Sequence, residues 1–294
     1  MRSKLFVPAN RPELFEKALL AGADAVCFDL EDAVPAERKA EARVALQAFL
    51  EGRTPGTPLL IVRTNAVTSS DFRLDLAVTV WSSVHAIAVP KVESSEEMET
   101  AVEAITALEL ERGITAPLGI LPTIESPRGL RLASEICRAS GRIIGLQLGF
   151  ADLLEPLGIP ADNRFARDQV RLMARLAAAE ADLDCYDSAF PDFRDAASFA
   201  QHLNAGRSFG FAGASCIHPQ QITAANQAYT PSPEALLHAE QLVAAAREAS
   251  LAGRAVTSLN GKMIDRPFVL AAERLLARGR RYAQRGESST GLDA

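Results

Sequence analysis

The arrangement of apolar segments constrains the fold of this chain more than any other feature. Eight short apolar runs, each the length of one β-strand, alternate with longer stretches that have helical spacing. This pattern predicts a (β/α)8 TIM barrel, an α/β fold in which parallel strands close on themselves. A doubly wound sheet is the alternative, but eight regular units would be many for it. The predicted strands are Lys4–Val7, Ala25–Leu30, Leu59–Arg63, His85–Pro90, Leu118–Ile124, Ile143–Leu148, Leu183–Ser188 and Ala212–Ile217.

Each predicted strand is followed by a stretch with helix signals. The first has Pro12 in its opening turn and Gly22 at its end, as is typical of helix boundaries. Another opens on the acidic, cap-like run Ser94-Ser95-Glu96-Glu97. We expect helices over Arg11–Ala21, Ala36–Leu50, from Ser69 onward, and over Ser94–Arg112, Ser126–Ala139, Arg164–Glu180, Phe193–Ser208 and Pro219–Ala228.

The eight units are complete before residue 231, where Pro231-Ser232-Pro233 has the composition of a hinge. We therefore predict a barrel domain over residues 1–230 and a C-terminal helical extension over residues 231–294. The extension has two predicted helices, Pro233–Leu251 and Pro267–Gln284, joined by a loop interrupted by glycines. It is too small for a core of its own, so we expect it to pack on the barrel or on another subunit.

Composition excludes several classes of protein. The chain is 48% hydrophobic and 23% charged, which is typical of a globular protein. A net charge of −6 without a long basic run argues against a nucleic-acid partner. The absence of an 18-residue apolar stretch argues against a membrane span. Four scattered cysteines without a C-x-x-C pair, together with an apolar N-terminal run too short for a signal peptide, lead us to expect a cytoplasmic protein.

The candidate site follows from the fold, because a TIM barrel carries its active site at the C-terminal ends of its strands. Polar side chains of both signs occur at those positions, and they should converge on one rim. They are Asp29, Glu31, Asp32, Arg63, Asn65, Lys91, Glu93, Glu125, Asp152, Asp187 and His218.

Two carboxylates on consecutive strand ends, Glu125 and Asp152, form the most distinctive pair in this set. One or two carboxylates, with water and substrate oxygens, are the usual ligands of protein-bound Mg2+. The alternative is that both are solvated loop acids. The stretch Gly149–Leu153 adds a small-residue turn whose backbone N–H groups are suited to bind a substrate carboxylate beside the metal.

Arg63 ends a run of apolar β-formers, so its guanidinium should enter the barrel mouth. There it offers a planar fork to a carboxylate or an enolate oxygen. The alternative is a structural ion pair with Glu31, Asp32 or Glu93. His218, before a proline at the end of the eighth strand, is equally compatible with a structural and a catalytic role. Hydrolase and nucleotide-binding motifs are absent.

Eight sequence blocks, taken together, resemble the citrate lyase β-subunit-like family of the HpcH/HpaI aldolase superfamily. They cover nearly the whole chain in the order expected of that family. The blocks are Arg2–Pro8, Phe28–Val34, Lys39 with Ala42 and Arg43, Val62–Asn65, Pro90–Ser94, Ile124–Gly129, Cys216–Ile222 and Gly261–Pro267. Members of this family cleave or form C–C bonds in 3-hydroxyacyl thioesters such as malyl-, citramalyl- or citryl-CoA.

The resemblance implies a set of roles for residues of this chain. Glu125 and Asp152 match the family's Mg2+ ligands, and Arg63 matches its substrate-binding arginine. In the CoA-dependent branch, Asp265 matches an acid that reaches a neighbour's active site from the C-terminal segment. The resemblance also implies that Ile217 and His218 line the thioester site and that Lys17 binds CoA phosphates.

These roles imply a retro-aldol cleavage of a small-molecule thioester into an acyl-CoA and a keto acid. Two rivals remain: a metal-dependent aldolase acting on free 2-keto acids, and a non-catalytic scaffold subunit of an acyl-carrier-dependent citrate lyase complex. The predicted C-terminal helix has an apolar stripe that should be buried, and a second subunit is the expected place. We therefore expect a homo-oligomer built on trimers. The stripe is Phe268, Val269, Ala272, Leu275 and Leu276.

Overall fold

The computed structural model describes residues 1–160 and 162–290 of the chain. Its first eight strands form a closed parallel barrel in chain order, which confirms the predicted (β/α)8 fold. They are β1 (Ser3–Pro8), β2 (Ala25–Asp29), β3 (Leu59–Arg63), β4 (Ala86–Val89), β5 (Gly119–Ile124), β6 (Leu146–Leu148), β7 (Cys185–Asp187) and β8 (Gly213–Cys216). The barrel closes where Ser3 pairs with Ala214 and Leu5 pairs with Cys216.

Helices follow the barrel strands and cover the outside of the sheet. They are α1 (Phe15–Leu19), α2 (Lys39–Leu50), α3 (Asp71–Thr79), α4 (Ser95–Glu111), α5 (Pro127–Arg131), α6 (Ala133–Arg138), α7 (Phe150–Leu154), α8 (Arg164–Glu180), α9 (Ala196–Ser208) and α10 (Gln220–Tyr229). Two further helices, α11 (Pro233–Leu251) and α12 (Arg266–Thr290), flank the antiparallel hairpin of β9 (Thr257–Leu259) and β10 (Lys262–Ile264).

The alternation of side chains along each strand separates two apolar layers. In β2, Ala25 and Cys27 belong to a small inner cluster, whereas Val26 and Phe28 join the large core between strands and helices. Phe28 packs edge-on against Phe15, with ring centroids 4.8 Å apart. Small inward-facing residues fill the barrel interior without blocking its mouth. All four cysteines are buried and free.

Several predicted elements differ from the observed ones at their ends. The predicted helix Ser126–Ala139 is two helices, because the backbone leaves the helical region at Leu132. The helix predicted from Phe193 begins at Ala196, where Asp195 caps it by accepting the N–H of Ser198. The loop predicted between the C-terminal helices contains the β9–β10 hairpin, whose turn places Asn260 and Gly261 in the left-handed region.

The chain divides into two compact units, Met1–Tyr229 and the residues from Thr230 onward. In the second unit, Ala239, Val243 and Ala272 form a small apolar cluster, with Leu275 and Leu276 packed against it. The expectation that the whole α12 stripe requires a second subunit is therefore wrong for Ala272, Leu275 and Leu276, which pack within their own unit. Phe268, from the same stripe, is 52% exposed.

Candidate functional site

The strand ends of the barrel enclose a cavity of about 610 Å³. Of the strand-end residues, Asp29, Asp32, Arg63, Glu125 and Asp152 line it. Ile217, which the resemblance assigned to the thioester site, lines it as well. Asp187 does not belong to its walls, because this side chain is buried against Arg171. The remaining walls combine aromatic and small side chains with a few polar groups, among them Phe6, Phe150, Gly149, Gln147, Ser188, Ser215 and Arg167.

Glu125 directly follows β5 and is 4% exposed. Its Oε1 accepts the backbone N–H of Lys91 at 2.7 Å, and Lys91 presents that N–H from a left-handed turn with φ 53°. The carboxylate lies against Gly149, where an added Cβ would overlap it. Parallel pairing of Ile124 with Leu148 brings these positions together. Glycine is thus required for Glu125 to occupy this place.

Asp152 lies in the first turn of α7, a short helix that sequence analysis did not predict. The start of α7 is attached to the barrel because the Phe150 N–H donates to Ser188 Oγ at 3.0 Å. Asp152 itself is exposed toward the cavity that it lines. The helix therefore places a second carboxylate in the wall of the cavity that Glu125 also lines.

The electrostatics of this pair favour a bound cation. Burial raises the pKa of Glu125 to about 8, and the negative charges of Glu31 and Asp152 act in the same direction. A divalent ion with hard oxygen ligands would relieve both effects, so the two carboxylates fit Mg2+. Among the described residues, no group of three or more His, Cys, Asp or Glu side chains could hold a metal ion. An ion here would therefore complete its coordination with water or substrate oxygens.

Arg63 is embedded in carboxylates, of which Glu31 was among the partners expected for a structural ion pair and Asp29 was not. Its Nε and Nη2 donate to the two oxygens of Asp29 at 2.7 and 2.6 Å, and Nη1 lies 2.9 Å from Glu31. Burial opposes the charge, but bonding and attraction to Asp29 and Glu31 outweigh it and raise the pKa of Arg63. The guanidinium also lines the cavity, 5.0 Å from the centre of the Phe6 ring.

Lys91 extends this cluster. Its Nζ lies 2.8 Å from Glu31 and 3.1 Å from Asp32. Asp29, in turn, accepts the backbone N–H groups of Glu31 and Ala33, which fixes the loop after β2. The acids of this loop, Glu31 and Asp32, therefore pair with Arg63 and Lys91.

Two of the residues that the resemblance assigned to substrate, His218 and Lys17, lie outside the cavity wall. His218 stacks on Phe193 with ring centroids 4.4 Å apart, beside the cavity-lining Ile217. Lys17 is exposed on α1. Neither His218 nor Lys17 is among the described residues that line the cavity.

Asp265 lies in the second unit, directly after β10. It lines a separate cavity of about 280 Å³ within that unit. Its Oδ1 is buried and has no hydrogen-bond partner among the described residues. A buried acceptor without a donor is costly, so this carboxylate is suited to interact with a group from outside its unit.

Sequence reasoning missed Arg167 and the buried network beside it. Arg167 and Arg171 lie on α8, where an arginine four residues from another is ordinarily read as a solvated face. Arg171 is instead completely buried and donates to Asp187 at 3.0 Å. No strand-end position marks these residues, so the pattern along the chain gave no signal for them.

Comparison with known proteins agrees with this geometry. The sequence profile of the HpcH/HpaI aldolase/citrate lyase family matches residues 2–219. The chain belongs to this family. The fold, the family and the lyase class predicted from sequence are thereby confirmed. Among the described residues, no helix has both the length and the apolar character needed to cross a membrane.

The relatives of this chain are named for more than one activity. The citrate lyase subunit beta of Leuconostoc mesenteroides subsp. cremoris is 34% identical over 282 residues, covering 94% of this chain and 92% of that protein. A (3S)-malyl-CoA thioesterase of Cereibacter sphaeroides strain KD131 is 32% identical over 287 residues, with 96% and 95% coverage. The solved structure of protein CitE from Mycobacterium tuberculosis with magnesium, acetoacetate and coenzyme A is 32% identical, with 95% and 99% coverage and a TM-score of 0.74.

The raised pKa of Glu125 predicts a specific pH dependence for the metal-free protein. The folded state binds this proton more tightly than the unfolded state, so stability falls as pH rises from about 4.5 to about 8. Glu125→Gln removes the titration, and the loss should disappear with it. Thermal melts in a chelator between pH 5 and pH 9 measure the difference.

The exposed Glu111 offers a matched control, because Glu111→Gln makes the same chemical change at the surface end of α4. We expect the Glu111→Gln protein to follow the wild-type melting curve at every pH. If the melting temperatures of the wild type and Glu125→Gln changed with pH in parallel, the pKa of Glu125 would be the same in the folded and unfolded states.

Proposed function

We propose that this protein is a Mg2+-dependent carbon–carbon lyase that acts on a 3-hydroxyacyl-CoA thioester such as citramalyl-, malyl- or citryl-CoA. The single observation that carries the proposal is the pair of carboxylates, Glu125 and Asp152, in the wall of one barrel-mouth cavity. Family membership and the relatives named for citrate lyase and malyl-CoA support the same chemistry. The buried, free cysteines suit a reducing compartment, and we place the protein in the cytoplasm.

Glu125 and Asp152 would hold the metal ion. When bound, Mg2+ supplies Lewis-acid polarisation of the substrate's hydroxyl and keto oxygens and lowers the pKa of the hydroxyl. Lys91 positions Glu125 through its backbone N–H, and Gly149 leaves the space that the carboxylate needs. The Ser188 hydroxyl fixes the start of the helix that carries Asp152.

In the cleavage direction, water accepts the proton of the hydroxyl group, and the bond between the carbinol carbon and the adjacent methylene carbon breaks. The electron pair moves to the thioester, which becomes an enolate, while the carbinol carbon becomes the carbonyl of a keto acid. Arg63 donates to the developing enolate oxygen, an electrostatic role in which Asp29 holds its fork in place. Asp265 then delivers a proton to the enolate carbon.

Two relatives' names define the second candidate function, which is hydrolysis of the thioester. Malyl-CoA thioesterases match this chain at 32% identity over most of both lengths. In that reaction water attacks the thioester carbonyl, the C–S bond breaks, and a free thiol and a hydroxy acid leave. The two reactions release different products, so one assay distinguishes them.

A small panel of malyl-, citramalyl- and citryl-CoA, each with Mg2+, tests the proposed function. A lyase releases one keto acid per thioester consumed and no free thiol, whereas a thioesterase releases thiol and no keto acid. An aldolase on free 2-keto acids would cleave a free 4-hydroxy-2-keto acid, added to the panel for this purpose, and would leave the thioesters intact. A protein that binds the panel but consumes none of it would be a scaffold subunit.

The metal assignment predicts the behaviour of a double variant. Glu125→Gln with Asp152→Asn keeps the side-chain shapes and removes both negative charges, so Mg2+ affinity and metal-dependent turnover should be abolished. Titration calorimetry measures the affinity, and circular-dichroism melts show whether the fold is retained. Glu111→Gln is the control. Mg2+ binding of unchanged affinity in the double variant would contradict the assignment.

The role of Arg63 predicts a loss of turnover that a positive charge at this position is not enough to restore. Arg63→Lys keeps a positive charge but cannot bridge both oxygens of Asp29, so turnover should fall by roughly 10²-fold or more. Steady-state kinetics on the preferred thioester measure the effect, with Mg2+ affinity measured alongside. If kcat stayed at the wild-type value, Arg63 would be a structural ion-pair partner.

We further propose that the protein is a homo-oligomer, built on trimers, in which Asp265 of one subunit completes the site of another. The buried, unpartnered Oδ1 of Asp265 and the exposed Phe268 support an interface on the second unit. Lys17, Ile217 and His218 would contact the thioester portion. This arrangement makes a prediction for mixed subunits.

Asp265→Ala and Glu125→Gln subunits should each be inactive alone. Hybrid oligomers should recover part of the activity, because some sites then combine an intact metal pair with an intact acid. Co-expression with two affinity tags isolates the hybrids, and the thioester assay measures them. Inactive hybrids of verified composition would mean that Asp265 acts within its own subunit or has no role.

A further inference from the structure

Arg167 stands apart from the other basic side chains at the cavity. It lies on α8 and lines the same cavity as Glu125 and Asp152. Its Nε is buried and has no hydrogen-bond partner among the described residues. Within that described part of the chain, its guanidinium also forms no ion pair. Leaving such a donor buried and unpaired is costly unless a ligand supplies the acceptor.

Two other cations near the cavity are already paired with carboxylates, and a third, the buried Lys4, donates to Gln147 Oε1 at 2.8 Å. Arg63 is paired with Asp29 and Glu31, and Lys91 is paired with Glu31 and Asp32. These two cations are therefore matched by three carboxylates. An incoming carboxylate would have to compete with those acids for Arg63, whereas at Arg167 it would meet acids that lie nearby, Asp187, Asp168 and Asp162, but no ion pair among the described residues.

Arg171 shows why Arg167 is well placed. One helical turn further along α8, Arg171 is completely buried, and its Nε and Nη1 bond to Asp187 and Asp168 at 3.0 Å each. Its Nη2 lies 3.0 Å from His202 Nδ1, and its guanidinium lies over the Phe150 ring. This network fixes α8 against β7 and against the helix that carries Asp152. Arg167 is thereby held at the cavity by a rigid support rather than by a loop.

The wall of the cavity contains more acidic than basic side chains. Five acids line it, with Arg63 and Arg167 as the basic side chains among the described residues. A bound Mg2+ would offset the charges of two of these acids. Asp29 and Asp32 are paired with Arg63 and Lys91, which leaves Glu155 as the unpaired acid of the wall and Arg167 as its basic side chain without an ion pair among the described residues. The acids are Asp29, Asp32, Glu125, Asp152 and Glu155.

We propose that Arg167 binds a carboxylate of the keto-acid half of the substrate. This inference rests on the proposed function and assigns the carboxylate to a residue that the family resemblance did not name. A guanidinium fork matches the two oxygens of a carboxylate, and lysine or glutamine does not reproduce that geometry. Arg63 then remains the donor to the enolate oxygen, and the two arginines act on opposite ends of the breaking bond.

Direct binding of keto acids tests the proposal without depending on turnover. The probes are pyruvate, with one carboxylate, and freshly prepared oxaloacetate, with two, each titrated into the full-length protein with saturating Mg2+. We expect Arg167→Gln to weaken binding at least tenfold and Arg167→Lys to weaken it less. Mg2+ affinity and melting temperature should stay at the wild-type values.

Arg164→Gln is the matched control, because Arg164 lies on the same helix with a side chain that is 79% exposed. It should bind both probes as the wild type does. A loss confined to oxaloacetate would assign Arg167 to the additional carboxylate and would favour citryl-type substrates. An equal loss for both probes would assign it to the carboxylate that they share.

Two results would overturn the inference while leaving the proposed function intact. One is wild-type affinity for both keto acids in Arg167→Gln and Arg167→Lys. The other is a parallel loss of Mg2+ affinity and melting temperature in both variants, which would make Arg167 a structural residue. If the wild-type protein itself bound neither keto acid in the presence of Mg2+, the proposed function would fail, and this inference would fail with it.

Discussion

The burial of one carboxylate beside two others is the constraint on which the site depends. Glu125 is held at the mouth of the barrel by a backbone N–H from Lys91 and by the absence of a side chain at Gly149. Its negative charge is unfavourable there, because burial and the charges of Glu31 and Asp152 all oppose it. The fold tolerates this arrangement at pH 7 by holding a proton or a cation. When the site holds neither a proton nor a cation, the ionised Glu125 lowers the stability of the fold around it, which is a common property of metal sites.

Around this pair, the two arginines of the cavity wall differ in their partners, because Arg63 is paired with carboxylates and Arg167 forms no ion pair among the described residues. Asp29 at the end of β2 and Glu31 in the loop that follows fix Arg63, which gives that guanidinium one orientation at the cost of much of its attraction for anions. Arg167 has the opposite character, because its helix is anchored through Arg171 and its own guanidinium lacks a carboxylate partner within the described chain. Arg63 thus has a fixed orientation, and Arg167 is the arginine that is available to bind an anion.

The barrel was predictable because its signal is repeated eight times and depends on local periodicity. The Glu125–Asp152 pair followed from it, because strand ends in a barrel must share a rim. Helix α7 was not predicted, since its five residues are too few to show a helical period. The β9–β10 hairpin was missed for a similar reason: its strands have three residues each, and its left-handed turn was read as loop.

Arg63 and Arg167 show where sequence reasoning ends. The position of Arg63 was evident, and the pairing of β2 with β3 places it beside Asp29, but the strand-end argument did not assign that acid as its partner. Arg167 looked like part of a solvated helix, and its burial results from tertiary packing around Arg171. The family resemblance supplied chemistry that periodicity could not, but at 32–34% identity its relatives include both a lyase subunit and a thioesterase.

The central claim is that Glu125 exchanges a proton for a metal ion. Calorimetric titration of Mg2+ in buffers of different ionisation enthalpy counts the protons released on binding. Because burial raises the pKa of Glu125 to about 8, the account predicts release of about one proton per Mg2+ at pH 7, falling toward zero above pH 9. Glu125→Gln should release none. Mg2+ binding to the wild type without proton release at pH 7, or no Mg2+ binding at all, would contradict the account.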